Sequence, residues 1–373
     1  MKKFLFWTAL ASVALTGCVK NDVEPNPSLG QDVEITFNQP VVGKITKAPN
    51  DDIDSDHEGE ISNATYPTTE QFIVHAWAHQ GNFDPNAPVV YINQQEVEYF
   101  DGSSIAAGAP GDLGEHTWRI DPHYYWPKTH KLTFTAYSPN QISNYASIDA
   151  KTGIKLTDVV IGSDVTKHID ILYSNRVFNQ TYPDYDKVAN DQLIGVDIQF
   201  HHALASVNVK VKVKESYTSI DEDQITIHKI WFDNVEMKGT FTEGLTTGLE
   251  TSSTGSWSTP TETNNDLDLK GDINEVIDGY TTAQKYGCTA LLIPQELDGN
   301  LNVNYTITNP DGVSIKETIT FKLSEQKDNS DIAIDKWEQS KRYIYTLTFG
   351  LNEIYLAPYV EAWDDVTMSD INI

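Results

Sequence analysis

From residue 205 to residue 214 every second side chain is apolar: Ala205, Val207, Val209, Val211 and Val213 alternate with Ser206, Asn208, Lys210, Lys212 and Lys214. Successive side chains of an extended strand point to opposite faces, so this stretch predicts a half-buried β-strand with one wet face. The same period recurs in Leu132, Phe134 and Ala136, in Leu301, Val303, Tyr305 and Ile307, and in Tyr343, Tyr345, Leu347 and Phe349. Val313, Ile315, Ile319, Phe321 and Leu323 are expected to form another such apolar face. No convincing amphipathic helix accompanies them. One-sided strands separated by Asn, Asp, Gly and Pro turns predict an all-β chain of antiparallel sheets packed as sandwiches.

The stretch "NQTYPDYDKVANDQ", residues 179–192, interrupts the alternation and is the expected boundary between one sandwich and the next. Residues 48–69 read as a mobile acidic loop, punctuated by Pro49, Gly59 and Pro67.

The N-terminus predicts export. Lys2 and Lys3 precede an apolar run from Phe4 to Leu15, the length of a signal-peptide core and too short to span a bilayer. The run closes on Leu15-Thr16-Gly17-Cys18, which resembles the lipobox of bacterial lipoproteins. That resemblance implies cleavage of residues 1–17 and lipidation of Cys18, a palmitate-type anchor in the outer membrane. Several acyl chains, at about 0.8 kcal/mol per buried CH₂, anchor durably where one does not. Asp22 and Glu24 resemble the acidic surface-export signals of Bacteroidetes lipoproteins. Only Cys288 remains as a second cysteine, so with Cys18 lipidated stability must come from burial rather than from a disulfide.

Without Lys2 and Lys3 the mature chain carries 24 basic against 54 acidic side chains, a net charge of −30. Such a chain repels nucleic acid and anionic lipid heads, which excludes both as partners. Like copies also repel, so self-association needs apolar burial.

The first mature strand has an unusual exit. In "QDVEITFNQPVVGKITKAPND", residues 31–51, Val33, Ile35 and Phe37 alternate with polar neighbours. Lys44 and Lys47 then lead into the run Asp51, Asp52, Asp54, Asp56 and Glu58.

Four further segments, "YYWPKTHKLTFTAYSP" (124–139), "FHHALASVNVKVKV" (200–213), "LLIPQ" (291–295) and "YIYTLTF…YVEAW" (343–363), together resemble the fimbrillin family of Bacteroidetes. The lipobox and "EITF…GKITKA" stand where fimbrillins carry their leader and first strand. The resemblance implies two tandem transthyretin-like β-sandwich domains and a subunit of type V pili. It implies a leader with removable first strand at 18–47, an N-terminal domain at 48–192 and a C-terminal domain at 193–373. It further implies that a protease cuts after a basic residue and that the vacated groove accepts a strand from another subunit. Lys47-Ala48 is the matching bond, with Lys44-Ile45 as runner-up. The family's best-known proteases cut after arginine, and the first arginine here is Arg119. A lysine-tolerant protease or an uncut anchor or accessory subunit both accommodate that departure. Ile354, Leu356 and Val360, then Val366, Met368, Ile371 and Ile373 in the tail 364–373, are the candidate donor residues; the alternative is that 354–363 complete the chain's own second sandwich, which leaves the tail as the better test piece.

Chemistry finds little support. His201 and His202 are strand neighbours and face opposite ways, while His75 and His79 share a face about 13 Å apart. An EF-hand starting at Asp52 fails at His57 and Asn63, where Gly and Glu are required. No Walker loop, HExxH, CxxC or GxSxG occurs. The expectation is a non-enzymatic fimbrial subunit with no cofactor, partnered by other fimbrillin subunits at the cell surface. The alternative is a surface glycan-binding lipoprotein. Trp77, Trp126, Trp231 and Trp363 sit in strand patterns and are expected in the core, which leaves Trp118 and Trp257 as candidate exposed aromatics.

Overall fold

The computed structural model describes residues 33–43, 66–101, 117–181, 195–214, 224–251, 254–258, 265–271, 273–277, 279–328, 330–350 and 354–363. With 57% strand against 5% helix, the chain is all-β, as its alternation requires.

The first sheet has nine strands. Its path runs Thr36–Phe37, Thr117–Ile120, Val89–Phe100, Phe72–His79, Lys131–Ser138, Leu172–Ser174, Gln199–His202 and Val41–Val42, with Val177–Gln180 also on Lys131–Ser138. The two ends of that path, Thr36–Phe37 and Val41–Val42, belong to one short segment. Residues 33–43 therefore close the sheet on itself. Inside it lies a core that includes Ile35, Phe37, Val42, Phe72, Trp118, Phe134 and Phe200.

The second core sits between two sheets. One has four strands in the order Gln284–Leu292, Ala205–Val213, Lys341–Phe349, Ile354–Ala362. The other runs Asn265–Asp268, Gln224–Val235, Asn300–Thr308, Ser314–Lys322, with Glu275–Val276 also on Gln224–Val235. Ala205, Val207, Val209, Val211 and Val213 are all buried here, the face their alternation predicts. The face expected from Val313 to Leu323 is only half built. Val313 and Ile315 are each 60% exposed, whereas Ile319 and Phe321 pack on the core and Leu323 is buried. Ser314–Lys322 pairs with Asn300–Thr308 alone among the described strands, and its first half meets no apolar cover.

A further sheet joins the two halves of the chain. Ala146–Asp149 and Gly153–Val160 continue into Lys238–Thr242 and Ser256–Ser258. The core beneath it draws Tyr137, Leu156 and Val159 from one side of residue 192 and Phe241, Ile293 and Trp363 from the other. Gln199–His202 is the last strand of the first sheet and Ala205–Val213 the first of the second core. The pairing thus changes over at the buried Ala203-Leu204, beyond the boundary expected at 192.

Candidate functional site

Residues 33–37 are bonded along one edge and residues 36–43 along the other, the two ladders overlapping at Thr36 and Phe37. On one edge the Ile35 amide donates to the Tyr124 carbonyl (2.7 Å) and the Trp126 amide to the Val33 carbonyl (2.9 Å). Thr36 and Phe37 then pair antiparallel with Arg119 and Trp118. On the other edge the Val196 amide donates to the Thr36 carbonyl (2.8 Å), and the amides of Asn38, Val41 and Gly43 donate to the carbonyls of Val196, Ile198 and Phe200 (3.1, 3.1 and 2.8 Å). The segment is thus an inserted strand, antiparallel to one neighbour and parallel to the other.

Side chains lock the register. Ile35, Phe37 and Val42 are buried, and Phe37 meets the edges of Phe72 and Phe134 at 5.6 and 6.0 Å between ring centroids. Burying three such groups stabilises the closed sheet by roughly 5–8 kcal/mol before ordering costs. Asn38 donates to Asp197 (2.6 Å) and accepts from the Gly195 amide (3.1 Å). A Cβ on Gly195 would stand 2.4 Å from the Asn38 nitrogen, so only glycine lets the two backbones approach this closely. Gln39 donates to the Tyr66 carbonyl (2.7 Å). Buried Glu34 lies 2.6 Å from Nδ1 of half-exposed His123.

Sequence reasoning placed Ile35 and Phe37 in this groove's occupant, with Val33 half-buried at its entry. It missed Glu34 and His123, whose partnership spans 89 residues and leaves no local pattern. Cys18, Lys44, Ile45, Lys47, Ala48, Val366, Met368, Ile371 and Ile373 lie outside the described residues.

Three expectations need correction or division. Ile354, Leu356 and Val360 belong to the end strand of the four-stranded sheet over the second core, paired with Lys341–Phe349 along nine residues. Their apolar face is already spent on that core. Trp118 is 1% exposed, packed against Tyr66, Phe72 and Tyr99, so it is no surface aromatic. Trp257 is half-buried and donates its indole N–H to the Ala203 carbonyl (2.6 Å). It lines an open cavity of about 520 Å³ with Gln295, Glu296, Lys336 and Glu338. Trp77, Trp126 and Trp363 are buried, while Trp231 is half-buried beneath Lys229.

His201 and His202 do face opposite ways. His201 bonds Asn175 (2.8 Å), while His202 lies 2.8 Å from Asp170 and stacks on Trp363 at 3.6 Å. Among the described residues no three His, Cys, Asp or Glu side chains converge on a metal position, and no helix is long and apolar enough to cross a membrane.

A fimbrillin-like family model matches residues 62–363. The chain belongs to the fimbrillin-like family. Among solved structures, a fimbrial protein from Bacteroides vulgatus is 16% identical, covering 88% of this chain and 99% of its own, with a TM-score of 0.51. A candidate cell adhesion protein from Bacteroides uniformis is 14% identical over 88% of this chain and 98% of its own, with a TM-score of 0.47. The C-terminally truncated tip fimbrial protein Mfa3 of Porphyromonas gingivalis is 11% identical over 89% of this chain and 100% of its own, with a TM-score of 0.37. At these identities the first likeness speaks to the fold, and the other two carry no argument. No curated protein matches this fimbrillin-like chain.

Proposed function

We propose that this fimbrillin-like chain is a non-enzymatic fimbrial subunit of two β-sandwich domains, exported as a lipoprotein anchored through Cys18 to the outer membrane. Its first strand occupies the N-terminal groove until a protease cuts at Lys47-Ala48, or at Lys44-Ile45. A strand from another subunit then replaces it, so the partners are further fimbrial subunits at the cell surface.

The observation that supports this reading is the double-edged insertion of residues 33–43. A strand bonded on one edge is an ordinary boundary of a sheet. A segment bonded on one edge over residues 33–37 and on the other over 36–43, with Ile35, Phe37 and Val42 beneath it, leaves an apolar slot flanked by two staggered unpaired ladders when it goes. Unpaired backbone groups over apolar walls bind extended chain in preference to water, through ladder bonds and alternating side chains. Association by strand exchange also suits a mature chain of charge −30, 24 basic against 54 acidic side chains, since the contact is apolar and backbone-mediated.

N-terminal sequencing of fimbriae sheared from the cell surface tests the reading. Chains beginning at Ala48 are expected, with Lys47→Gln shifting the start to Ile45 or stopping maturation. Polymers whose subunits all retain lipidated Cys18 would refute it.

A further inference from the structure

Four described strands end the two sheets around the second core, and three of them are closed to further pairing. Asn265–Asp268 is short, and its register with Gln224–Val235 shifts. Gln284–Leu292 is broken by a register shift, and its Cys288 amide already donates to the Leu269 carbonyl (3.1 Å). Ile354–Ala362 is blocked by Pro358. The Trp363 amide donates to the Ser340 carbonyl (2.8 Å), which fixes the phase of that ladder. Odd-numbered residues there turn their backbone groups to Lys341–Phe349, so Pro358, with no N–H to offer, stands at an outward position. Ser314–Lys322 has none of these devices. It keeps one register with Asn300–Thr308 over nine residues and contains no proline.

The phase of this strand is fixed at both ends. The Asn309 amide donates to the Val313 carbonyl (2.9 Å), and the Leu323 amide donates to the Gly299 carbonyl (3.1 Å). Hydrogen-bonded pairs alternate along an antiparallel ladder, so the odd-numbered residues between them turn their backbone inward. Ser314, Lys316, Thr318, Thr320 and Lys322 therefore aim their N–H and C=O groups away from the sheet, as an open ladder. On the core side of the same strand Ile315 is 60% exposed, while Phe321 is half-buried against the second core.

We propose that this edge pairs with the same edge of a second copy of the chain, antiparallel about a two-fold axis through Thr318. Ser314 then faces Lys322 of the second copy, Ile315 faces Phe321, Lys316 faces Thr320, Glu317 faces Ile319, and Thr318 faces itself. Ile315 gains the apolar cover it lacks, and Glu317 keeps its bond from the Tyr305 hydroxyl (2.9 Å). No like charges stand directly opposite. The neighbouring registers fail on that count. Moving the axis by one residue sets Glu317 against Glu317, or Lys316 against Lys322, and like charges directly opposite are destabilising. Moving it by two sets Lys316 against Lys316, or carries Ile315 past the end of the partner strand. With two lysines against one glutamate, the strand also lacks the negative excess of the whole chain. A strand that fits its own reverse in one register is self-complementary, which an isologous dimer requires. The join uses no residue of the groove and needs no cleavage, so it goes beyond the strand-exchange reading and stands independently of it.

The test uses the uncut chain 18–373 with Cys18→Ser, which removes the lipid, and Cys288→Ser, which leaves no native thiol. Sedimentation velocity should show a shift from monomer to dimer as concentration rises. Added salt should strengthen the association, because it screens the repulsion between two acidic copies. Monomer at every concentration overturns the proposal. In the same background Thr318→Cys should oxidise to a disulfide dimer, since the Cα atoms of a hydrogen-bonded pair stand about 5.5 Å apart. Lys316→Cys and Thr320→Cys should each cross-link roughly fivefold less when alone, because each lies about 13 Å from its own counterpart. Mixed together, those two should cross-link as well as Thr318→Cys does. Equal yields from the three single variants overturn the register. Thr318→Lys sets two ammonium groups face to face at an exposed position and should weaken dimerisation roughly fivefold, with far-UV circular dichroism unchanged. A dimer as tight in Thr318→Lys as in the parent overturns the proposed edge without any cross-link.

Discussion

The two large cores are made of similar strands but differ in how the chain supplies them. The second draws nearly all its members from residues 205–354, and Ala205–Val213, Asn300–Thr308 and Lys341–Phe349 each follow from a continuous stretch of alternation. The first takes Ile35, Phe37 and Val42 from a short segment joined to the rest only through residues 44–65. A core assembled from one continuous stretch stays complete if the chain is cut at its ends. A core closed by a terminal segment loses three buried groups and its pairing on two edges if a cut frees that segment and it then leaves. The second core is thus independent of residues 33–43, whereas the first is closed by them.

Phe37→Ala sets the difference at its largest. Removing a buried phenylalanine costs about 3–5 kcal/mol, and here the loss should fall on the first core. Scanning calorimetry or hydrogen exchange should show weakened protection in Phe72–His79 and Lys131–Ser138, with Ala205–Val213 and Lys341–Phe349 nearly unchanged. Equal loss in both would break the comparison and make the molecule one cooperative unit.

Acid should sharpen the same contrast. His75 lies on the first sheet beside Trp77, and burial, helped by the Arg176 guanidinium, pushes its imidazole down to about 4. In the unfolded chain it titrates near 6.5. Between those values the unfolded state binds a proton that the folded state refuses, so stability falls as pH drops from about 6.5 to 4. The loss is on the order of 3 kcal/mol. His168, also lowered mainly by burial, acts in the same sense, while burial raises Glu243 and so opposes it. Denaturant midpoints measured across that window should slope more steeply for the first core, and His75→Leu should flatten the slope. An unchanged slope in that variant would remove His75 from the account.

Ile315→Thr should have the smallest effect, within about 0.5 kcal/mol, because the side chain is 60% exposed on an edge strand. Its neighbour on the same strand, Phe321, packs on the second core, and Phe321→Thr should cost several times more. A large effect at Ile315 would mean that another surface covers it.

These contrasts also mark what the sequence revealed. Alternation was legible wherever a strand was long and covered on one face only, as in Ala205–Val213. Trp118 was misplaced because Thr117–Ile120 offers just two inward positions, too few to establish a period. Val313 and Ile315 alternate correctly, yet alternation does not say whether the opposing sheet reaches that far. The sheet joining Gly153–Val160 to Lys238–Thr242 depends on a pairing between distant residues, which no local pattern encodes. For the groove, Ile35 and Phe37 were visible as a strand. Its second hydrogen-bonded edge, made by residues 196–200, was not. That edge turns a first strand into an inserted one.

The central claim is that residues 33–43 are a replaceable occupant of the first core. It is tested most directly by cutting the folded mature chain after Lys47 and following the fragment 18–47 by native mass spectrometry over a range of protein concentrations. The fragment should stay bound at high dilution, where no other strand competes, and be released in step with polymer formation as concentration rises. Retention at every concentration while polymers form, or release at high dilution from a first core that remains fully protected, would contradict it.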